Sequence, residues 1–94
     1  MADSQNIKDV LSLLIGSYKM EEHFQAERIK EIWFEVVGKY VANYTEKLSV
    51  KNHVLYVKLK VPELRNDMLY VKTALMQKLN KQIGSEYLQD IKFY

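Results

Sequence analysis

The spacing of apolar residues along this chain changes near residue 46 and again near residue 62. From Ser4 onward, Ile7, Val10, Leu11, Leu14 and Tyr18 recur three or four residues apart, which predicts an amphipathic helix capped by Asp3 or Ser4. Gly16 stands near its expected end, and the polar run Lys19 to Glu22 predicts a connection to a second helix. There Ile29, Ile32, Trp33, Val36, Val37, Tyr40 and Val41 continue the helical spacing for three turns. Gly38 interrupts that run and predicts either a C-cap or a kink before a short piece ending near Tyr44.

The period then becomes two. Apolar and polar residues alternate through Lys47–Lys51 and through Val54–Val61, the pattern of half-buried strands. Asn52-His53 between them fits a two-residue hairpin turn, because Asn and His tolerate positive φ better than most residues. Pro62 suits the first position of a helix. Leu64, Met68, Val71, Leu75, Leu79 and Ile83 then form one stripe, widened by Leu69 and Met76, and Gly84 closes a predicted helix of about 20 residues. Tyr87 to Tyr94 alternates again, with Ile91 and Phe93 on one side. The predicted order is helix-helix-strand-strand-helix-strand, an α+β domain with helices on one face of a three-stranded sheet. Its 94 residues make one domain, 1–94.

Alternation also sorts the lysines. If Leu48, Val50, Leu55, Val57, Leu59 and Val61 face the helices, the pleat turns Lys47, Ser49, Lys51, Val54, Tyr56, Lys58 and Lys60 to the opposite face. Lys92 and Tyr94 join them from the last strand. Net charge is only +2, but residues 46–60 hold four lysines against one glutamate, so the basic excess falls on the hairpin. Five lysines with two tyrosine rings among them suit nucleic acid, since ammonium groups neutralise phosphates and rings stack on bases. The same residues equally suit a solvated sheet face, and an acidic protein is a third possible partner. With no arginine among these lysines, any binding should depend on charge and salt rather than on base sequence.

Catalytic chemistry has little support. The absence of cysteine excludes thiolate metal sites, disulfides and cysteine nucleophiles. His23 and His53 fall on different elements with no metal-binding spacing, and both are expected to be exposed. Glu27, Glu31 and Glu35 repeat along the second helix as a solvated face would, and no phosphate-cradling or nucleophile-elbow motif occurs. The N-terminus lacks a basic start followed by an apolar run, and no stretch is apolar enough to span a membrane, so a cytoplasmic protein is expected. Trp33 lies on the second helix's stripe and is expected in the core. Phe34 lies about 100° off it and either marks a partner contact or packs under the first helix.

The stretch Ile32-Trp33-Phe34-Glu35-Val36-Val37-Gly38, followed by Val41-Ala42 and Tyr44-Thr45, resembles the W-x-x-V-V-G … I-A … H-T signature of the DciA-type family. Leu48 to Val57 is similar to that family's L-x-x-x-x-G-V-L-x-V hairpin, and Glu63-Leu64, Leu79-Asn80, Ile83-Gly84 and Ile91-Lys92-Phe93 complete the resemblance over residues 5–94. It implies a KH-like domain of bacterial proteins that assist the DnaB-type replicative helicase at replication initiation. Family members are described as binding the helicase, and some also contact DNA. The expected partners are therefore that helicase and, weakly and salt-dependently, single-stranded DNA. Neither a cofactor, a small-molecule substrate nor a membrane is implied. The expected DNA-facing residues are Lys47, Lys51, Tyr56, Lys58, Lys60 and Lys92, with Phe34 as the expected partner contact. A KH-like RNA-binding module and a pure protein-interaction domain are the alternatives. His53 stands where the family commonly has Gly, and the Trp often found before the long helix is missing. No GxxG loop occurs, so the backbone clamp of KH domains has no counterpart. Relatives often continue beyond this domain, whereas the last expected strand here is also the last segment of the sequence.

Overall fold

The computed structural model describes the backbone of residues 4–94 and the side chains from residue 7 onward; the Asp3 and Ser4 side chains, expected as N-caps, lie outside what is described. Its elements are α1 (Ser4–Tyr44), β1 (Thr45–Lys51), β2 (Val54–Leu59), α2 (Pro62–Tyr70), α3 (Lys72–Ile83) and β3 (Asp90–Phe93). The sheet order is β1-β2-β3, with β1 antiparallel and β3 parallel to β2. This is the α+β class expected from the sequence, although two helix boundaries differ.

The expected connection at Lys19–Glu22 is helix. Lys, Met and Glu are good helix formers, and with neither Gly nor Pro among these four residues nothing local stops α1. The expected break at Gly38 is present: its φ of 82° and ψ of 172° kink α1, and the last turns run on to Tyr44. Only glycine occupies that backbone region without cost.

The single long helix expected from Pro62 to Gly84 is instead two, broken at Val71. A straight helix of that length would run about 33 Å, whereas a six-residue strand is about 20 Å long. Bending at Val71 lets Leu64 and Met68 on one piece and Leu75 and Leu79 on the other reach the same core. Val71, expected on the stripe, is consequently exposed, as is Leu69. Gly84, at φ 79°, ends α3 in the left-handed conformation, with its N–H donating to the Asn80 carbonyl.

The core is one cluster in which Ile29, Ile32 and Trp33 of α1 meet Leu55, Val57 and Ile91 of the sheet. Trp33 is fully buried, and its indole N–H donates to the Thr45 hydroxyl (3.2 Å), which in turn donates to the Val41 carbonyl (2.8 Å). Trp33, Gly38 and Thr45 thus form one device: the glycine turns the chain, and the Trp–Thr bond ties helix to strand across the turn. No described helix is long and apolar enough to cross a membrane.

Candidate nucleic-acid interface

The hairpin turn is as expected, with Asn52 and His53 both at positive φ (52° and 66°). Register then arranges the outer face in rows. Lys47 lies opposite Lys58, Ser49 opposite Tyr56 and Lys51 opposite Val54, and across β2 Tyr56 pairs with Lys92 and Val54 with Asp90. Leu55, Val57 and Ile91 on the other face are buried, whereas Lys47, Lys51, Lys58, Lys60 and Lys92 are exposed and Tyr56 is half-buried. Lys60 stands one residue past β2. Its N–H still donates to the Tyr44 carbonyl (2.9 Å), after Leu59 N–H has donated to the Tyr94 carbonyl on the other side, but the backbone bends there. The structure therefore brings Lys47, Lys51, Tyr56, Lys58 and Lys92 together on this face, with Lys60 exposed just past its end.

The face also carries two acids: Asp90, which alternation in the last strand already places beside Lys92 and Tyr94, and Glu46, which it does not. A β-bulge between Thr45 and Lys47 lets Glu46 reach Lys58, with Lys58 Nζ 3.4 Å from its Oε2. Both groups are about half exposed, so the pair is weak and the Lys58 ammonium stays available. At the other edge Lys72 Nζ sits 3.0 Å from Asp90 Oδ1, which also accepts the Ile91 N–H (2.8 Å). The Lys72 ammonium holds the Asp90 carboxyl below the usual carboxylate range. Lys72 has no signal in the sequence, because it belongs to a helix and reaches the sheet only through the bend at Val71. Counting Lys72 and the five lysines against Glu46 and Asp90 leaves the region at +4.

Phe34 is 46 % exposed and faces a cleft of about 380 Å³ between α1 and the edge strand β1, shared with Leu48, Lys30 and Lys47. It cannot pack under a separate first helix, since α1 is continuous. Glu27, on the same cleft, is bonded by Lys30 (2.9 Å), and its carboxyl is held below the usual range by that contact.

His53, expected exposed, is half-buried. Its Nδ1–H donates to the Tyr87 carbonyl (2.9 Å), its ring lies 4.6 Å from that of Tyr87, and Nε2 is 3.4 Å from Glu22 Oε1. The Tyr87 hydroxyl donates to the other Glu22 oxygen (3.2 Å). Burial, and then the Glu22 carboxylate, push the Tyr87 phenol up to about 12. These contacts anchor α1 to the hairpin and hold a non-glycine residue at positive φ. His23, by contrast, is exposed. Among the described residues no group of three His, Asp or Glu could hold a metal ion.

Comparison with curated proteins and with solved structures gives no match. One family model does match, described as Dna[CI] antecedent, DciA, and it covers residues 6–93. Within that span lie the Trp33–Gly38–Thr45 device, the hairpin and the αL glycine at the end of α3, so the signature residues are those that build the domain. The chain belongs to the DciA family.

Proposed function

We propose that this chain is a non-enzymatic binding module that engages a DnaB-type replicative helicase and helps place it on single-stranded DNA. Family membership supports the helicase half of this reading. The DNA half rests on one observation: exposed lysines from all three strands share the sheet face opposite the hydrophobic layer. Lys47, Lys51, Lys58, Lys60 and Lys92 neutralise phosphates in this reading, and Tyr56 offers a ring to a base. The Phe34 cleft faces the protein partner. A KH-like relation of the domain and a cytoplasmic place belong to the same reading; without a GxxG loop, the sheet face rather than a clamp makes the contacts.

Titration of fluorescent single-stranded DNA at two salt concentrations tests the DNA half. Binding is expected at low salt, weaker at high salt, and abolished by Lys58→Glu with Lys60→Glu. Lys78→Glu, on α3 away from the face, should bind as the parent does. No binding at low salt, or equal loss with Lys78→Glu, removes the DNA assignment. Preference for RNA of the same sequence would transfer it to RNA. Pull-down with the cognate helicase, with and without Phe34→Ala, tests the protein half.

A further inference from the structure

The N-terminal half of α1 is exposed on the side that is buried further along the same helix. Ile7, Val10, Leu11, Leu14, Ile15 and Tyr18 are each 53–62 % exposed. The spacing Ile7, Leu11, Leu14, Tyr18 continues in phase into Gln25, Ile29, Ile32 and Val36, and Ile29 and Ile32 are buried against the rest of the domain. Glu22 is tied to His53 and Tyr87, and the helix N-terminal to it extends beyond the body. The longest dimension is 62 Å against 22 and 18 Å, about the length of a 41-residue helix. The radius of gyration is 17.3 Å, where a compact domain of this size would have about 12–13 Å.

We propose that this segment pairs with the same segment of a second copy, the two helices running antiparallel. Monomeric proteins rarely leave so large an apolar patch exposed. The 4-3-4 spacing of Ile7, Leu11, Leu14 and Tyr18 is that of a helix-pairing seam. Six half-exposed side chains expose on the order of 600–700 Å² per copy, the upper limit of what the contact buries, against roughly 800 Å² per partner in a standard interface and less in weaker ones. A second copy carries the same stripe, so one two-fold contact covers both and closes the assembly.

Direction follows from where the body sits. Sheet and α3 lie on the stripe side of α1, and paired helices approach to about 8–10 Å. Parallel pairing would drive two bodies, each about 20 Å across, into one volume. Antiparallel pairing places them at opposite ends. Lys8 and Lys19 lie on one flank of the stripe, about 90–110° from its centre, whereas Ser12 and His23 lie on the far side with the exposed Leu13 and Met20.

Sedimentation of the full chain across micromolar concentrations should give the mass of a dimer. Leu11→Glu with Leu14→Glu should give a monomer whose buried Trp33 emits at an unchanged wavelength, showing an intact body. A monomeric parent at 100 µM, or a double variant that stays dimeric, overturns the proposal. Orientation is read independently, because the chain has no cysteine. Mixed Lys8→Cys and Lys19→Cys copies should join through a short bis-maleimide far better than either variant with itself. Efficient self-joining of Lys8→Cys would show parallel pairing and overturn the arrangement.

Discussion

Gly38 and Gly16 both lie within α1 and make opposite demands on the backbone. At Gly38 the φ/ψ pair of 82° and 172° excludes a β-carbon on conformational grounds, even though one built there meets no neighbour within 4 Å. Gly38→Ala is expected to cost about 2 kcal/mol, lowering the thermal midpoint by roughly 10 °C. Gly16 is helical and equally uncrowded, so Gly16→Ala should raise the midpoint slightly. Calorimetry on the pair decides, and a common sign would contradict the assignment of the kink. Tyr87 provides a second residue-scale test. The fold favours its neutral phenol, so that contribution is complete below the ordinary tyrosine value and is lost as pH rises through about 12. Phenolate absorbance should show a late step near pH 12 that Tyr87→Phe removes and Glu22→Gln shifts downward.

Between α3 and β3 the chain has no regular structure, yet it delivers β3 into register with β2. The Asn80 amide makes this possible by accepting the Leu88 N–H (2.9 Å) and donating to the Leu88 carbonyl (3.0 Å), while Leu88 itself is buried. His53 adds a backbone contact at the next residue, its carbonyl accepting the Gln89 N–H (2.8 Å). Asn80→Ala leaves two backbone groups without partners and should cost about 2 kcal/mol, read as a lower urea midpoint at unchanged slope. The last strand was expected to start at Tyr87 but starts at Asp90, because residues 85–89 close the domain through this side-chain clasp instead of a ladder. Alternation in sequence marks which side chains face the core, and that much holds for Ile91; it carries no information about an asparagine eight residues upstream.

For the molecule as a whole, the basic face predicts how binding depends on salt. If the five lysines each neutralise one phosphate of a single strand, log K should fall with log salt at a slope of about −3.5. Each lysine-to-alanine change on the face should flatten that slope by about 0.7. Titrations at several salt concentrations measure it, and a slope near zero would remove the charge-based argument for this surface. The acids Glu46 and Asp90 oppose phosphate binding, and Glu46→Gln should tighten it slightly by removing a negative charge from the face.

Much of this was legible in the order of residues. Period-two alternation assigned Lys47, Lys51, Lys58 and Lys92 to the correct face of the sheet, since strand side chains can point only two ways. Gly38 announced its kink and Asn52-His53 their turn, because both depend on local backbone energetics. Where α1 continues and where the helix after Pro62 bends were decided by tertiary structure. Lys19 to Glu22 are as compatible with helix as with loop, and Val71 yields only because two apolar faces must reach one short sheet. The approach of Lys72 to Asp90, of Glu46 to Lys58 and of Glu22 to His53 and Tyr87 likewise joins residues far apart in the chain. Local preference acts over a few residues and is written in the sequence; such meetings depend on how whole elements share a single core.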